Sequence, residues 1–393
     1  MALTVWAWPS IQNADNSVMI EIREVKTCSQ RREFLNFPNR LYKGNSCYVP
    51  PLYMDERKIF RKDYVYHDTS EDVYYNAYKD GVMAGRISGI LQRSSNEKWG
   101  QKRVRFTRFD VIDDFDVARA LFEAVEKWAR EKGMEEVVGP LGFSDLEREG
   151  LLIEGFDQMS TFEEAYNYEY YGKFIERLGY AKEVDWTESQ IRYPKDPESV
   201  EEMSRMADFV LRRYKLHIGE AKSGRDFLKK YADGFFEILD KSYDKVYGTV
   251  PFSDGMKKLL IDNFNLIIDE KHAIVILDEQ NRPVAMGVCF PCIAKAMRTA
   301  GGRLTPLALF RVLKALKRPE VIDLGLIGVD PEWLNRGVSV IIANELARML
   351  AAPGVKYADT NLNLEDNAAI LNLWKRFDET RNKRRRSYVK KIV

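Results

Sequence analysis

Two stretches of the chain hold residues whose types and spacing suit anion and proton handling. The first runs from Val321 to Arg336 and on to Leu350. An apolar run carrying two glycines enters a turn at Pro331, passes Arg336-Gly337 and opens directly into an apolar-periodic helix. Val338, Ser339 and Val340 there present backbone N–H groups at a helix start, and Arg336 adds positive charge. That is the layout of a phosphate cradle. The G-x-x-x-x-G-K-S/T and G-x-G-x-x-G spacings are both absent, so this is neither a P-loop nor a dinucleotide fingerprint. The alternative is an ordinary strand–turn–helix junction. The second stretch is Asn363 to Asn367, where a strand ends and a helix begins. Glu365 is a carboxylate able to take a proton. Asp366 or Asn367 can equally be a helix cap.

Periodicity and turn chemistry supply the elements around these residues. A strand Met19–Val25 leads to a helix Ser29–Phe37, expected to stop at Pro38. Tyr74–Ala77 and Val82–Leu91 read as a hairpin around Asp80-Gly81, followed by a strand Arg103–Asp110. Val117–Lys132 is an amphipathic helix, Glu136–Val138 a short strand, Tyr168–Leu178 a helix and Val184–Tyr193 a strand. Residues 19–193 thus read as one mixed α+β sheet domain, with Pro194–Pro197 as a linker.

In residues 194–393 three helices precede a hairpin (His272–Asp278 and Pro283–Pro291) and a helix Pro306–Lys317. The cradle stretch follows, then a strand Tyr357–Asn363, a helix Asp366–Phe377 and a strand Arg385–Ile392. The element order of the two halves rhymes and suggests an old duplication. The first half's junction, Val111 to Phe115, has no Gly and no Arg but two acids. Like charge repels phosphate, so this half is expected not to bind an anionic cofactor. The acidic, aromatic-rich insert Ser144–Tyr171 is expected to cover the cleft between the halves.

Composition narrows the classes. Among 393 residues, 61 Lys+Arg balance 60 Asp+Glu to a net charge of +1, which gives no footprint for nucleic acid. The basic tail Arg381–Lys391 is expected to be a turn leading into a solvated final strand. Four cysteines and three histidines leave little for a disulfide scaffold or His-based metal chemistry, and no metal site is expected. In Cys289-Phe-Pro-Cys292 the expectation is a buried strand residue and a loop thiol. No apolar run is long enough to span a bilayer. Residues 1–18 read as an N-terminal extension without the features of a signal peptide. The expected location is cytoplasmic, with peripheral membrane contact left open.

The hairpin, strand–turn–helix, strand, helix, strand order resembles the GCN5-related N-acetyltransferase (GNAT) superfamily. The residues carrying the resemblance are Val329-Asp330-Pro331-Glu332, Arg336-Gly337 and Asn363-Leu-Glu365-Asp366-Asn367. The whole chain also resembles a bacterial double-GNAT family, some members of which are implicated in acylating sphingoid amines from acyl-CoA. That likeness rests on Tyr48-Val-Pro-Pro-Leu52, Asp80 to Ile87, Gly139-Pro140, Gly150 to Phe156, Gly301 to Pro306 and Leu364 to Asn367. The resemblance implies two tandem GNAT-like domains, residues 19–193 and 194–393, each a mixed, mostly antiparallel sheet flanked by helices. It implies coenzyme A bound in the second through Val329, Arg336, Gly337, Val338, Ser339 and Asn367. Glu365 would then be the general base for an amine and Tyr388 the proton donor to the leaving thiolate. Packing on a terminal strand is the other reading of Tyr388. Apolar segments Leu304–Leu316 and Leu151–Phe156 would suit a lipid-like amine or acyl chain. Two motifs depart from the family. Leu334 replaces the cradle's first polar residue, and Pro291-Cys-Ile-Ala294 stands where the family carries Pro-Asp-x-Asn. The rival function is an inactive CoA-binding or structural GNAT-fold protein.

Overall fold

A computed structural model describes residues 19–393; the expected extension over residues 1–18 lies outside the described residues. The first half runs β1 (Ile20–Glu24), α1 (Cys28–Leu41), α2 (Tyr53–Glu56), β2 (Ser70–Lys79), β3 (Val82–Gln92), α3 (Arg93–Trp99) and β4 (Arg103–Val111). It continues with α4 (Phe115–Glu131), β5 (Glu136–Gly139), β6 (Leu151–Glu154), α5 (Tyr170–Arg177) and β7 (Ala181–Arg192). The second half begins α6 (Pro197–Tyr214), β8 (His217–Ile218), α7 (Gly224–Ser242), α8 (Asp254–Ile267), β9 (Ala273–Leu277), β10 (Pro283–Pro291), α9 (Ala294–Arg298) and α10 (Pro306–Lys317). It ends β11 (Val321–Val329), α11 (Val338–Leu350), β12 (Tyr357–Thr360), β13 (Asn363–Leu364), α12 (Ala368–Trp374) and β14 (Asp378–Lys391).

Local chemistry accounts for most boundaries. Asp80 and Gly81, both at positive φ, turn the β2–β3 hairpin. Ser223, Ser253 and Thr305 cap α7, α8 and α10 through their hydroxyls. Pro38 does not stop α1, which runs on to Leu41 with Thr27 as its cap. The proline leaves the Phe34 carbonyl without its helical donor, and the Arg86 guanidinium fills the gap at 2.9 Å.

The strands form one mixed, mostly antiparallel sheet in the order β1-β2-β3-β4-β5-β14-β7-β12-β11-β10-β9-β8. The two parallel pairs on that path are β4–β5 and β11–β12. Helices flank it, as expected. Its centre is unusual. The last strand of each half is built into the other half's sheet. β14 lies between β5 and β7, while β7 lies between β14 and β12. The two pair antiparallel from Asp378↔Arg192 to Val389↔Ala181. Tyr388 and Ile392, next to the chain's end, belong to the first half's core with Phe106, Leu121 and Phe122. Ile191 belongs to the second half's core with Ile322, Ile341 and Trp374.

This placement overturns the solvated-tail expectation. Lys383, Arg385 and Ser387 are buried in a central strand. Lys383 and Arg385 each pair with Glu188 of β7 at 2.6 Å. Arg384 and Arg386 each pair with the buried Asp185. A buried charge is tolerated only when paired, and here the neighbouring strand supplies the acids.

Candidate functional site

β11 and β12 pair in parallel only from Val321↔Tyr357 to Leu324↔Thr360. Beyond that β11 continues to Val329 along β10, while the chain after β12 turns away to Asn363. The strands splay into a wedge. A cavity of about 820 Å³ fills it, lined by Gly325, Leu326, Ile327 and Val329 on one wall and Thr360, Asn361, Leu362 and Asn363 on the other. Phe264, Phe290, Ile370 and Trp374 add apolar surface.

At the outer end lies the cradle. Gly337 adopts φ 77°, which the turn needs to reverse into α11 and which glycine takes without strain. No side chain caps α11; the Val340 N–H, expected in the cradle, donates instead to the Gly337 carbonyl at 3.0 Å, which leaves Val338 and Ser339 as the N–H groups without an intrahelical partner. Val329, Pro331, Leu334 and Ser339 line the cavity mouth. The Arg336 guanidinium stacks on Trp333 at 4.6 Å, and Trp333 packs on Tyr214 of α6 rather than over the turn. Of the residues expected to hold a cofactor, Val329, Ser339 and Asn367 line the cavity. Arg336, Gly337 and Val338 form the adjoining turn. Asn367 also caps α12 through Ile370 N at 3.3 Å.

The two residues expected to act on protons lie elsewhere. The Glu365 carboxylate accepts from Lys182 at 2.5 Å and from Arg384 at 2.6 Å, and it does not line the cavity. Tyr388 is carried into the first half by strand exchange. There its hydroxyl donates to Glu176 at 3.2 Å, and burial pushes its pKa up to about 12. Leu151 and Leu152 pack in cores, and α10 lies outside the cavity.

The insert between β5 and α5 supplies the inner wall, with Asp145, Glu147, Glu149, Glu163 and Glu164. Glu147 is engaged by Phe143 N–H at 3.0 Å and by the Tyr64 hydroxyl at 3.2 Å. Glu149 is buried with one carboxylate oxygen lacking a partner. Its burial, with Asp145 beside it, pushes its pKa well up. Burial likewise raises Asp145 and Glu163, and lifts Glu164 to about 8. Glu163 stands where the strands part, accepting from Asn361 Nδ2 at 3.4 Å. Burial favours the uncharged form of these carboxyls, even with Arg385 3.6 Å from Glu164, and a bound amine cation would favour their ionised form, which suits the site to an amine. Tyr243 and Tyr247 complete the wall, and the Tyr243 hydroxyl donates to the Ile327 carbonyl on the open edge of β11. The density of acids in residues 145–164 was the available sequence signal. Which of them face the cleft depends on how the insert folds back.

The equivalent wedge in the first half is closed. β4 and β5 pair from Arg103↔Glu136 to Arg105↔Val138. Above that the Tyr171 hydroxyl takes the Val111 N–H at 2.8 Å, and Tyr170 donates to the Val111 carbonyl at 2.7 Å. The α4 start is capped by Asp114, which accepts from Asp116 N and Val117 N and pairs with Lys79.

Two halves of this order, each with parallel strands splaying beside a strand–turn–helix junction, define a tandem GNAT fold. Among solved structures, the chain is similar to a tandem GNAT protein from the clavulanic acid biosynthesis pathway. The TM-score is 0.54 at 11% identity, covering 95% of this chain and 99% of that one. It is also similar to a fungal multi-domain β-N-acetylglucosaminidase containing a GCN5-related glucosamine N-acetyltransferase region. There the TM-score is 0.56 at 11% identity, over 98% of this chain and 40% of that one. No family model matches the sequence. In sequence it is 26% identical over 373 residues to Protein YghO of Escherichia coli (strain K12), covering 92% of this chain and 93% of the relative. It is 28% identical over 312 residues to the bacterial ceramide synthase of Caulobacter vibrioides, covering 78% and 77%.

Proposed function

We propose that the chain is an acyl-CoA-dependent N-acyltransferase acting on a lipid-like amine, with its site in the β11–β12 wedge. One observation carries this reading. The wedge joins an uncapped helix start at its mouth to a wall of pKa-raised carboxyls at its inner end. The first suits CoA phosphates and the second suits an ammonium group. The likeness to a ceramide synthase supports a lipid-like acceptor, as does the apolar lining from Phe264, Phe290 and Trp374.

Acyl-CoA supplies the thioester. Val338, Ser339 and Arg336 hold its phosphates, and the open edge of β11 and Asn367 align its arm. Glu149 and Asp145 receive the amine as a cation. Glu163, where the strands part, takes the first proton from nitrogen in its ionised form, which the bound cation favours. The amine nitrogen bonds to the carbonyl carbon as the carbon–sulfur bond breaks, and the second nitrogen proton passes to the leaving sulfur, which departs as CoA thiol.

A thermal shift with CoA and with a long-chain acyl-CoA tests binding, because a ligand of the native state raises the melting midpoint. No shift with either overturns the proposal. Thiol release with a panel of amines then tests turnover. Glu163→Gln is expected to lower kcat/KM by about 10²–10⁴-fold while keeping the acyl-CoA shift. The second reading is a binder without turnover, favoured by Cys292 and Ala294 at positions where the family carries polar side chains. A CoA shift with no thiol release from any amine would support it.

A further inference from the structure

Five large exposed apolar residues cluster in one place. Leu304, Leu307, Leu309, Phe310 and Leu313 all lie on α10 or the turn before it, with Leu307 59% and Phe310 65% exposed. The helix is held from beneath. Val312, Leu316 and Met297 pack on Val49 and on Phe162 of the insert, so the apolar side facing out is held in place and, among the described residues, uncovered. From Gly301 to Arg318 there is no acid, while Arg303, Arg311, Lys314, Lys317 and Arg318 surround the leucines.

A second observation lies alongside. A hollow of about 550 Å³ between α1 and α2 is lined by Arg31, Arg32, Arg57, Lys58 and Arg61, with exposed Met54 also on its wall. Among the described residues Arg31, Arg32 and Arg57 have no carboxylate partner, and Arg31 Nε is buried without an acceptor. The hollow and α10 are joined. Tyr53 N–H donates to the Gly302 carbonyl at 2.9 Å, and the Arg303 guanidinium sits 4.2 Å over the Tyr53 ring. Gly302 is required for that junction, since a Cβ there would collide with the Pro51 carbonyl.

We infer that this face docks on an anionic phospholipid bilayer. α10 would lie in the headgroup layer with its leucines and Phe310 inserted, and the arginine hollow would take a lipid phosphate. An amphipathic helix with apolar residues amid basic ones, and no acids, binds such an interface through both terms at once. Charge decides the occupant. A second copy of the chain would bring two basic faces together, whereas an anionic membrane complements them. α10 rests on the same insert that lines the wedge, so docking would bring the inner wall of the cleft close to the lipid layer.

Co-sedimentation of the full chain with vesicles tests this. Binding is expected to vesicles of phosphatidylglycerol and phosphatidylcholine, to be weak on phosphatidylcholine alone, and to fall as salt screens the charges. The double variant Leu307→Glu/Phe310→Glu is expected to lose roughly tenfold or more in vesicle affinity. Arg32→Glu/Arg57→Glu should lose most of the preference for anionic lipid. Circular dichroism melting of both variants, whose altered side chains are largely at the surface, should match the parent. Equal vesicle binding by parent and Leu307→Glu/Phe310→Glu overturns the inference, as does no binding by the parent. A parent that sediments as a dimer, made monomeric by that variant, would overturn it in favour of a second copy.

Discussion

The two strand–turn–helix junctions share a topology and differ in what fills them. At β4–α4, Asp114 supplies the negative charge that a helix start attracts, and Tyr170 and Tyr171 saturate the strand edge that the splay would expose. At β11–α11, Gly337 stands at the capping position, and the splay is an open cavity. The same backbone is thus self-satisfied in one half and in need of a ligand in the other. We propose on this basis that only the second half binds CoA. The difference comes from a few side chains, because orphan N–H groups of a helix must be satisfied by a cap, by water or by a ligand.

Making the open junction resemble the closed one should break that contrast most sharply. Ser339 stands second in α11, as Asp116 does in α4. Ser339→Asp is expected to weaken CoA binding by roughly tenfold to a hundredfold through like-charge repulsion at the phosphates. Folding should be unharmed, since an acid in the first helical turn is favourable. Calorimetric titration with CoA reads this directly, and an unchanged affinity would place the phosphates elsewhere. The reverse change should not create a site. Asp114→Ala is expected to cost about 1 kcal/mol of stability through the lost cap, seen in denaturant unfolding, and to add no CoA binding while Tyr170 and Tyr171 fill the wedge.

The pH response draws on both halves. Burial lifts Asp323 of β11 and Glu164 of the insert to about 8. Their protons are held in the folded state and released on unfolding, so stability should fall as pH rises from about 4 to about 8. Above about 6.5 that decline stands clear of His272, whose burial lowers its pKa and gives the opposite slope below that pH. Asp323→Asn should flatten the decline in melting temperature. The smallest effect is expected at Glu365. With its carboxylate held by Lys182 and Arg384, Glu365→Gln should change kcat/KM by only about threefold or less, as a residue outside the reacting centre does. A loss comparable with that of Glu163→Gln would return the base to Glu365.

Much of the architecture is legible in the sequence, because periodicity and capping are local. The bounds of α6, β10 and α10 follow from Pro197, Pro283 and Pro306 with the apolar pattern behind them. The cradle is legible for the same reason, as Pro331, Arg336 and Gly337 sit within one turn. What the sequence hides is long-range. β14 reads as a solvated basic tail because Glu188, Asp185 and Glu164, which neutralise it, lie far away in the chain. Tyr388 is misplaced by the same exchange. Glu163 and Glu149 become site residues only because the insert folds back onto the other half's wedge.

The exchange of β7 and β14 bears on how the protein comes into being. The strand that completes the first half's sheet is made after every other strand of the second half. Until then β5 keeps an unpaired edge, and β7 lacks the partner that lies between it and β5. The nascent first half is therefore expected to wait, aggregation-prone at that edge, until β14 threads between β5 and β7. A truncation before β14 would then unfold the half made first.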